Sequence, residues 1–138
     1  MRLVFINQVP HTGRIPRLVI LYFLNRAKIF FSQAKKGHGI SVVFVSPATS
    51  KKLNTRYRKK PRPTNVLSFV SENQGELGDI IICPAIAQKE ANISGVGFQE
   101  YVAYLFVHGL LHLLGFDHQS KKEEQIMDAA AEKILSTK

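Results

Sequence analysis

Residues 108–118 read His108-Gly109-Leu110-Leu111-His112-Leu113-Leu114-Gly115-Phe116-Asp117-His118. Apolar residues on nearly every side commit this stretch to a buried helix, and positions four apart share one helix face, so His108 and His112 point the same way. Gly115 adopts a left-handed turn without strain, which stops the helix and swings the chain back, making His118 a third ligand candidate. Three imidazoles without a fourth protein ligand suit a catalytic zinc ion, with nitrogens at about 2.0–2.1 Å and one position open. Imidazole also accepts nickel, copper or iron, so the spacing defines a donor set and leaves the metal open. A structural ion is the alternative. It normally takes a fourth side chain, often cysteine, and the single cysteine, Cys83, sits in a strand-like run with no thiol partner.

At 138 residues the chain is long enough for one domain with a proper core, expected to span residues 1–138. One cysteine excludes an internal disulfide framework and fits a reducing compartment. The apolar run at residues 18–24 is too short to span a bilayer, and no charged-then-apolar leader precedes it, so a cytoplasmic protein is expected. Charge is uneven: residues 1–71 hold 14 Lys/Arg and no Asp/Glu, whereas residues 72–138 hold 5 Lys/Arg and 10 Asp/Glu, giving halves of +14 and −5. That imbalance points to a polyanion, because a cationic surface gains by releasing counterions from nucleic acid. An anionic membrane or plain solubility is the competing reading.

Residues 3–7 read as a strand, followed by a helix from Pro16 to about residue 34, with the break at Gly37-His38-Gly39. The β-branched run at residues 40–45 is a second strand. Ser46-Pro47 is an N-cap followed by proline at the first helical position, predicting a helix over 47–57. Residues 58–62 form a basic loop ending among Pro61 and Pro63. Strands at 66–70 and 79–83 flank a polar connection containing Gly75. A short helix follows Pro84, a longer one runs from about residue 98 to 114, and the capping box Ser120-Lys121-Lys122-Glu123 opens a last helix to about residue 135. The order β-α-β-α-β-β-α-α-α implies an α+β domain with a mixed sheet of about four strands.

The histidine spacing is also that of metzincin-type zinc peptidases, which need glutamate immediately after the first histidine as general base. Here that position is Gly109, so peptidase chemistry is not supported. Zinc alone lowers the pKa of bound water to about 7, and a guanidinium can stabilise charge building on a phosphate. Arg56, Arg58 and Arg62 are the arginine candidates. Asp117 reads as an orienting or turn-stabilising group, with proton acceptor as the alternative, and Asp79 and Ser68 as structural strand residues. His11 and His38 sit in loops with nothing linking them to the metal.

The histidine motif, together with Leu53-Asn54, Tyr57-Arg58, Pro63-Thr64-Asn65-Val66-Leu67-Ser68-Phe69 and Leu77-Gly78-Asp79-Ile80, resembles the YbeY family of bacterial metal-dependent endoribonucleases. Met127 and Glu132 also fall where that family places them, and the resemblance runs from about residue 40 to the end. Val70 departs from it, standing where proline is usual. The resemblance implies a zincin-like α+β fold, zinc held by His108, His112 and His118, and Arg58 as the catalytic arginine beside the substrate phosphate. It also implies single-stranded RNA as substrate, ribosomal RNA maturation and ribosome quality control as the setting, and the small ribosomal subunit with its proteins as partners. A non-enzymatic RNA- or ribosome-binding module with a structural metal is the alternative, and a metal-dependent peptidase is a weaker one.

Overall fold

The computed structural model describes residues 2–9, 15–31 and 39–136. Its elements follow the expected order: β1 (Arg2–Asn7), α1 (Arg17–Phe30), β2 (Gly39–Phe44), α2 (Pro47–Arg58), β3 (Val66–Val70), β4 (Glu76–Ile82), α3 (Pro84–Ser94), α4 (Phe98–Leu113) and α5 (Lys121–Leu135). The chain is thus α+β. The sheet runs β1-β2-β4-β3, with β1–β2 and β2–β4 parallel and β3–β4 antiparallel. β3 is therefore an edge strand, and the site is built beside it.

Register places Leu3, Phe5, Ile40, Val42, Phe44, Ile80, Ile82, Val66 and Ser68 on one face of the sheet, because side chains alternate along each strand. That face meets α4, which packs on β3 and β4 and also touches α1, α3 and α5. α4 is accordingly buried on most sides, with Val102, Leu105, Phe106, Val107, Leu110 and Leu111 at most 2% exposed. α1 offers Ile20, Phe23, Leu24 and Ala27, and α5 offers Met127, Ala130, Ala131 and Ile134, each the i, i+3, i+4, i+7 stripe of a half-buried helix. Arg26 ties the two together by donating to the carbonyls of Lys133, Ile134 and Ser136, the acceptors that the last turn of α5 leaves unpaired.

Capping matches the sequence. Ser46 Oγ accepts from Thr49 N at 3.2 Å with Pro47 opening α2, and Ser120 Oγ accepts from Glu123 N at 3.1 Å to start α5. Three boundaries differ from expectation. α1 stops at Phe30, where Phe31 turns extended with its N–H on Ala27 O, and the residues 32–34 assigned to that helix lie outside the described ones, as do Gly37, His38 and His11. β4 begins at Glu76 instead of residue 79 because pairing with β2 and β3 draws Leu77 and Gly78 into the ladder. Cys83 has left the strand and serves as the N-cap residue of α3, buried, with burial pushing its thiol pKa up. No described helix is long and apolar enough to cross a membrane.

Candidate active site

One face of α4 escapes burial: Glu100 and Tyr104 are exposed, and Tyr101, His108 and His112 are half-buried. The helix ends at Leu113, Gly115 follows with φ +101°, and Phe116 N returns to Leu111 O at 3.0 Å. This reversal carries His118 back beside His112, their ring centroids 5.1 Å apart at 69°. His108, His112 and His118 all line one pocket of about 230 Å³. Asn65 just before β3, Val66 and Ser68 on that strand, and Arg58 at the end of α2 line the same pocket.

The electrostatics favour neutral rings at His108 and His112. Burial holds His108 and His112 below the ordinary histidine pKa; the other two rings oppose protonation of His108 further, and His118 and Arg58 do so for His112. His112 Nδ1 lies 3.2 Å from Phe116 O. A carbonyl only accepts, so Nδ1 carries the hydrogen and Nε2 keeps its lone pair for a Lewis acid, the arrangement that orients metal-ligating histidines. This donor chemistry fits a zinc-type ion. Among the described residues, however, no three His, Cys, Asp or Glu side chains are drawn close enough together to hold an ion as they stand. The His108 ring rests on Tyr104 instead, centroids 4.3 Å apart.

Gly109, which occupies the place of a peptidase base, has a packing role. A Cβ there would stand 2.8 Å from Ile80 Cγ2, closer than Cβ atoms come, and 3.1 Å from Ser68 Oγ, a tight contact. Its absence lets α4 settle on the sheet, and Ser68 Oγ donates to Gly109 O at 3.2 Å across that contact. A glutamate at this position would have to displace the Ile80 side chain and crowd Ser68, the groups on which α4 seats.

Arg58 is delivered by buried polar side chains. Ser50 Oγ donates to Thr64 O and accepts from Thr64 N, each at 2.8 Å, while Asn54 Nδ2 donates to Arg62 O at 2.9 Å. These fold the loop after α2 onto the helix, and Lys59 takes a left-handed conformation (φ 59°) to close it. Lys51, Lys52, Arg56, Arg58, Lys59, Lys60 and Arg62 are all exposed, and the single ion pair among the described residues is Arg2–Glu76, elsewhere. Part of the basic half of the sequence is thus a set of exposed cations without ion-pair partners on α2 and the loop after it, of which Arg58 lines the pocket. Asp117 accepts from His118 N at 2.7 Å, the turn-stabilising role expected of it, and Asp79 is exposed on the sheet away from the pocket.

Two neighbours, Tyr104 and Asn65, carry no assigned role in the sequence reading, and Ser68 reads there only as a structural strand residue. Tyr104 falls one turn before His108, a legible spacing hidden inside an apolar helix. Asn65 donates to Glu90 Oε1, which also accepts from the Tyr101 hydroxyl, both at 2.9 Å. That bridge between the β3 edge, α3 and α4 has no signature in sequence. Ser68 faces the pocket because β3 alternates.

Residues 19–138 match the family model described as Endoribonuclease YbeY. The Endoribonuclease YbeY of Geobacillus thermodenitrificans is 40% identical over 114 residues, 73% of each chain. That of Buchnera aphidicola from Acyrthosiphon pisum is 38% identical over 120 residues, 83% of this chain and 77% of its own. That of Bdellovibrio bacteriovorus is 31% identical across 98% of this chain and 96% of its own. The solution structure of TM1509 from Thermotoga maritima shares the fold with a TM-score of 0.63 at 23% identity, covering 96% of this chain and 88% of that one. The family match reaches back to residue 19, so α1 belongs to the resemblance that the motifs carry only from about residue 40. By the family model and these relatives together, the chain belongs to the Endoribonuclease YbeY family.

Proposed function

We propose that this protein is a zinc-dependent endoribonuclease of single-stranded RNA, working in the cytoplasm on ribosomal RNA during small-subunit maturation and ribosome quality control. The observation that carries the reading is that His108, His112, His118 and Arg58 line one pocket, with further exposed cations on α2 and the loop after it. The nuclease relatives support the reaction class.

His108, His112 and His118 would hold the ion, which when bound supplies Lewis acidity toward a phosphoryl oxygen or the attacking group. Arg58 binds the scissile phosphate through charge-assisted hydrogen bonds and stabilises the charge that grows on it during attack. The surrounding lysines and arginines hold the flanking backbone. Phe116 O fixes the His112 tautomer, and Ser68 and Gly109 fix the height of α4 above the β3 edge.

The test is metal-dependent cleavage of ribosomal RNA fragments by purified protein with and without a chelator. Cleavage that disappears on chelation, returns with added zinc and is absent in His112→Ala supports the proposal. Undiminished cleavage by folded His112→Ala would refute the ligand assignment. The product ends identify the nucleophile: a cyclic phosphate means the ribose hydroxyl, a 5′-phosphate with 3′-hydroxyl means water.

A further inference from the structure

Tyr104 is 44% exposed, although it sits in the middle of the most buried helix of the fold. Its ring lies 4.3 Å from that of His108 and 6.0 Å from that of Tyr101, giving an aromatic row along the open face of α4 that ends in the histidine pocket. Tyr104 also lines two cavities flanking that pocket. One, of about 450 Å³, lies where α3 ends and α4 begins, and is walled by Ser94, Val96, Glu100 and Tyr101. The other, of about 500 Å³, lies against α5 and carries two carboxylates, Asp128 and Glu132.

The charges around these cavities sort the parts of a nucleotide. Phosphate is drawn to Arg58 and the cations beyond it, and repelled from the Asp128–Glu132 side. The cavity beside Tyr101 offers aromatic and aliphatic walls with one carboxylate acceptor, Glu100, which suits an uncharged base bearing N–H donors. We propose that Tyr104 is a base-stacking residue: the nucleobase adjoining the scissile phosphate leaves its strand and lies against the Tyr104 ring in the cavity shared with Val96, Glu100 and Tyr101. This rests on the endoribonuclease reading and adds a substrate-selecting element to it. A base inside a duplex keeps both faces covered, so the ring selects single strands without reading sequence.

The experiment uses metal-loaded protein and single-stranded RNA carrying 2-aminopurine at successive positions, with fluorescence followed by stopped flow before turnover. Wild type and Tyr104→Phe should quench the probe at one or two adjacent positions. Tyr104→Ala and Tyr104→Leu should lose that position-specific quenching and raise KM roughly 10- to 100-fold, with kcat within a few-fold and bound metal unchanged. Quenching and KM in both variants equal to wild type would overturn the proposal. So would loss of metal or of kcat at constant KM, which would mean that Tyr104 only braces His108. Position-specific quenching by a wild type that cleaves no RNA would uphold the stacking while refuting the nuclease reading.

Discussion

The histidine wall of the pocket is built on α4, nine of whose sixteen residues are buried and apolar or glycine, whereas the arginine wall rests on α2, whose two buried residues are Ser50 and Asn54. Hydrophobic packing on every face except the one that opens on the pocket makes the first wall rigid and intolerant of volume change. The second is held by a few hydrogen bonds beneath exposed cations. The division suits the proposed chemistry: imidazoles that are to share an ion must be fixed to a fraction of an ångström, while cations that are to grip a polyanion work over longer range and tolerate motion. Substitutions in the two walls should therefore fail in different ways.

The largest effect is expected from His112→Ala, which should lower RNA cleavage on the order of 10³-fold or more, the loss of several kcal/mol of charge stabilisation, with circular dichroism unchanged. Next comes Gly109→Ala. Its methyl group must displace Ile80, so thermal melting should show a loss of about 1–3 kcal/mol, and Gly109→Glu should lose more. If Gly109→Glu folds with wild-type stability, the close-approach argument for this glycine is wrong. Arg58→Ala should leave stability within about 0.5 kcal/mol, weaken RNA binding roughly 10- to 100-fold, and flatten the log–log salt dependence by about 0.7 for one lost phosphate contact. An unaltered slope would remove Arg58 from direct phosphate contact. Asn54→Ala should cost about 1 kcal/mol by freeing the Arg62 carbonyl, and should loosen the loop that follows Arg58 enough to raise its hydrogen-exchange rate. The smallest effect belongs to Cys83, buried and with its thiol pKa pushed up, which should react with thiol reagents only as the protein unfolds.

The two walls also differed in how plainly the sequence announced them. The turn that brings His118 back beside His112 was legible from a four-residue interval and one glycine, since both are properties of local backbone geometry. Caps at Ser46 and Ser120 and the strand at Val66–Val70 were legible for the same reason. Arg58 emerged from family motifs, but the means of placing it did not: Ser50 and Asn54 look like ordinary surface positions until Thr64 and Arg62 are folded onto them. Gly109 was the most instructive case. Along the chain it reads as a missing base, and only the approach of α4 to Ile80 and Ser68 shows what a side chain there would collide with. The start of β4 was missed because Leu77 and Gly78 resemble a turn until β2 and β3 pair with them.

Metal titration of apo-protein, with bound ion and RNA cleavage read in the same samples, addresses the site most directly. One ion per chain is expected, with cleavage rising in step and saturating at one equivalent, and His108→Ala, His112→Ala and His118→Ala each losing both. Full-rate cleavage by metal-free protein, or one tightly bound ion retained in all three variants, would contradict the assignment of these histidines as the centre of the reaction.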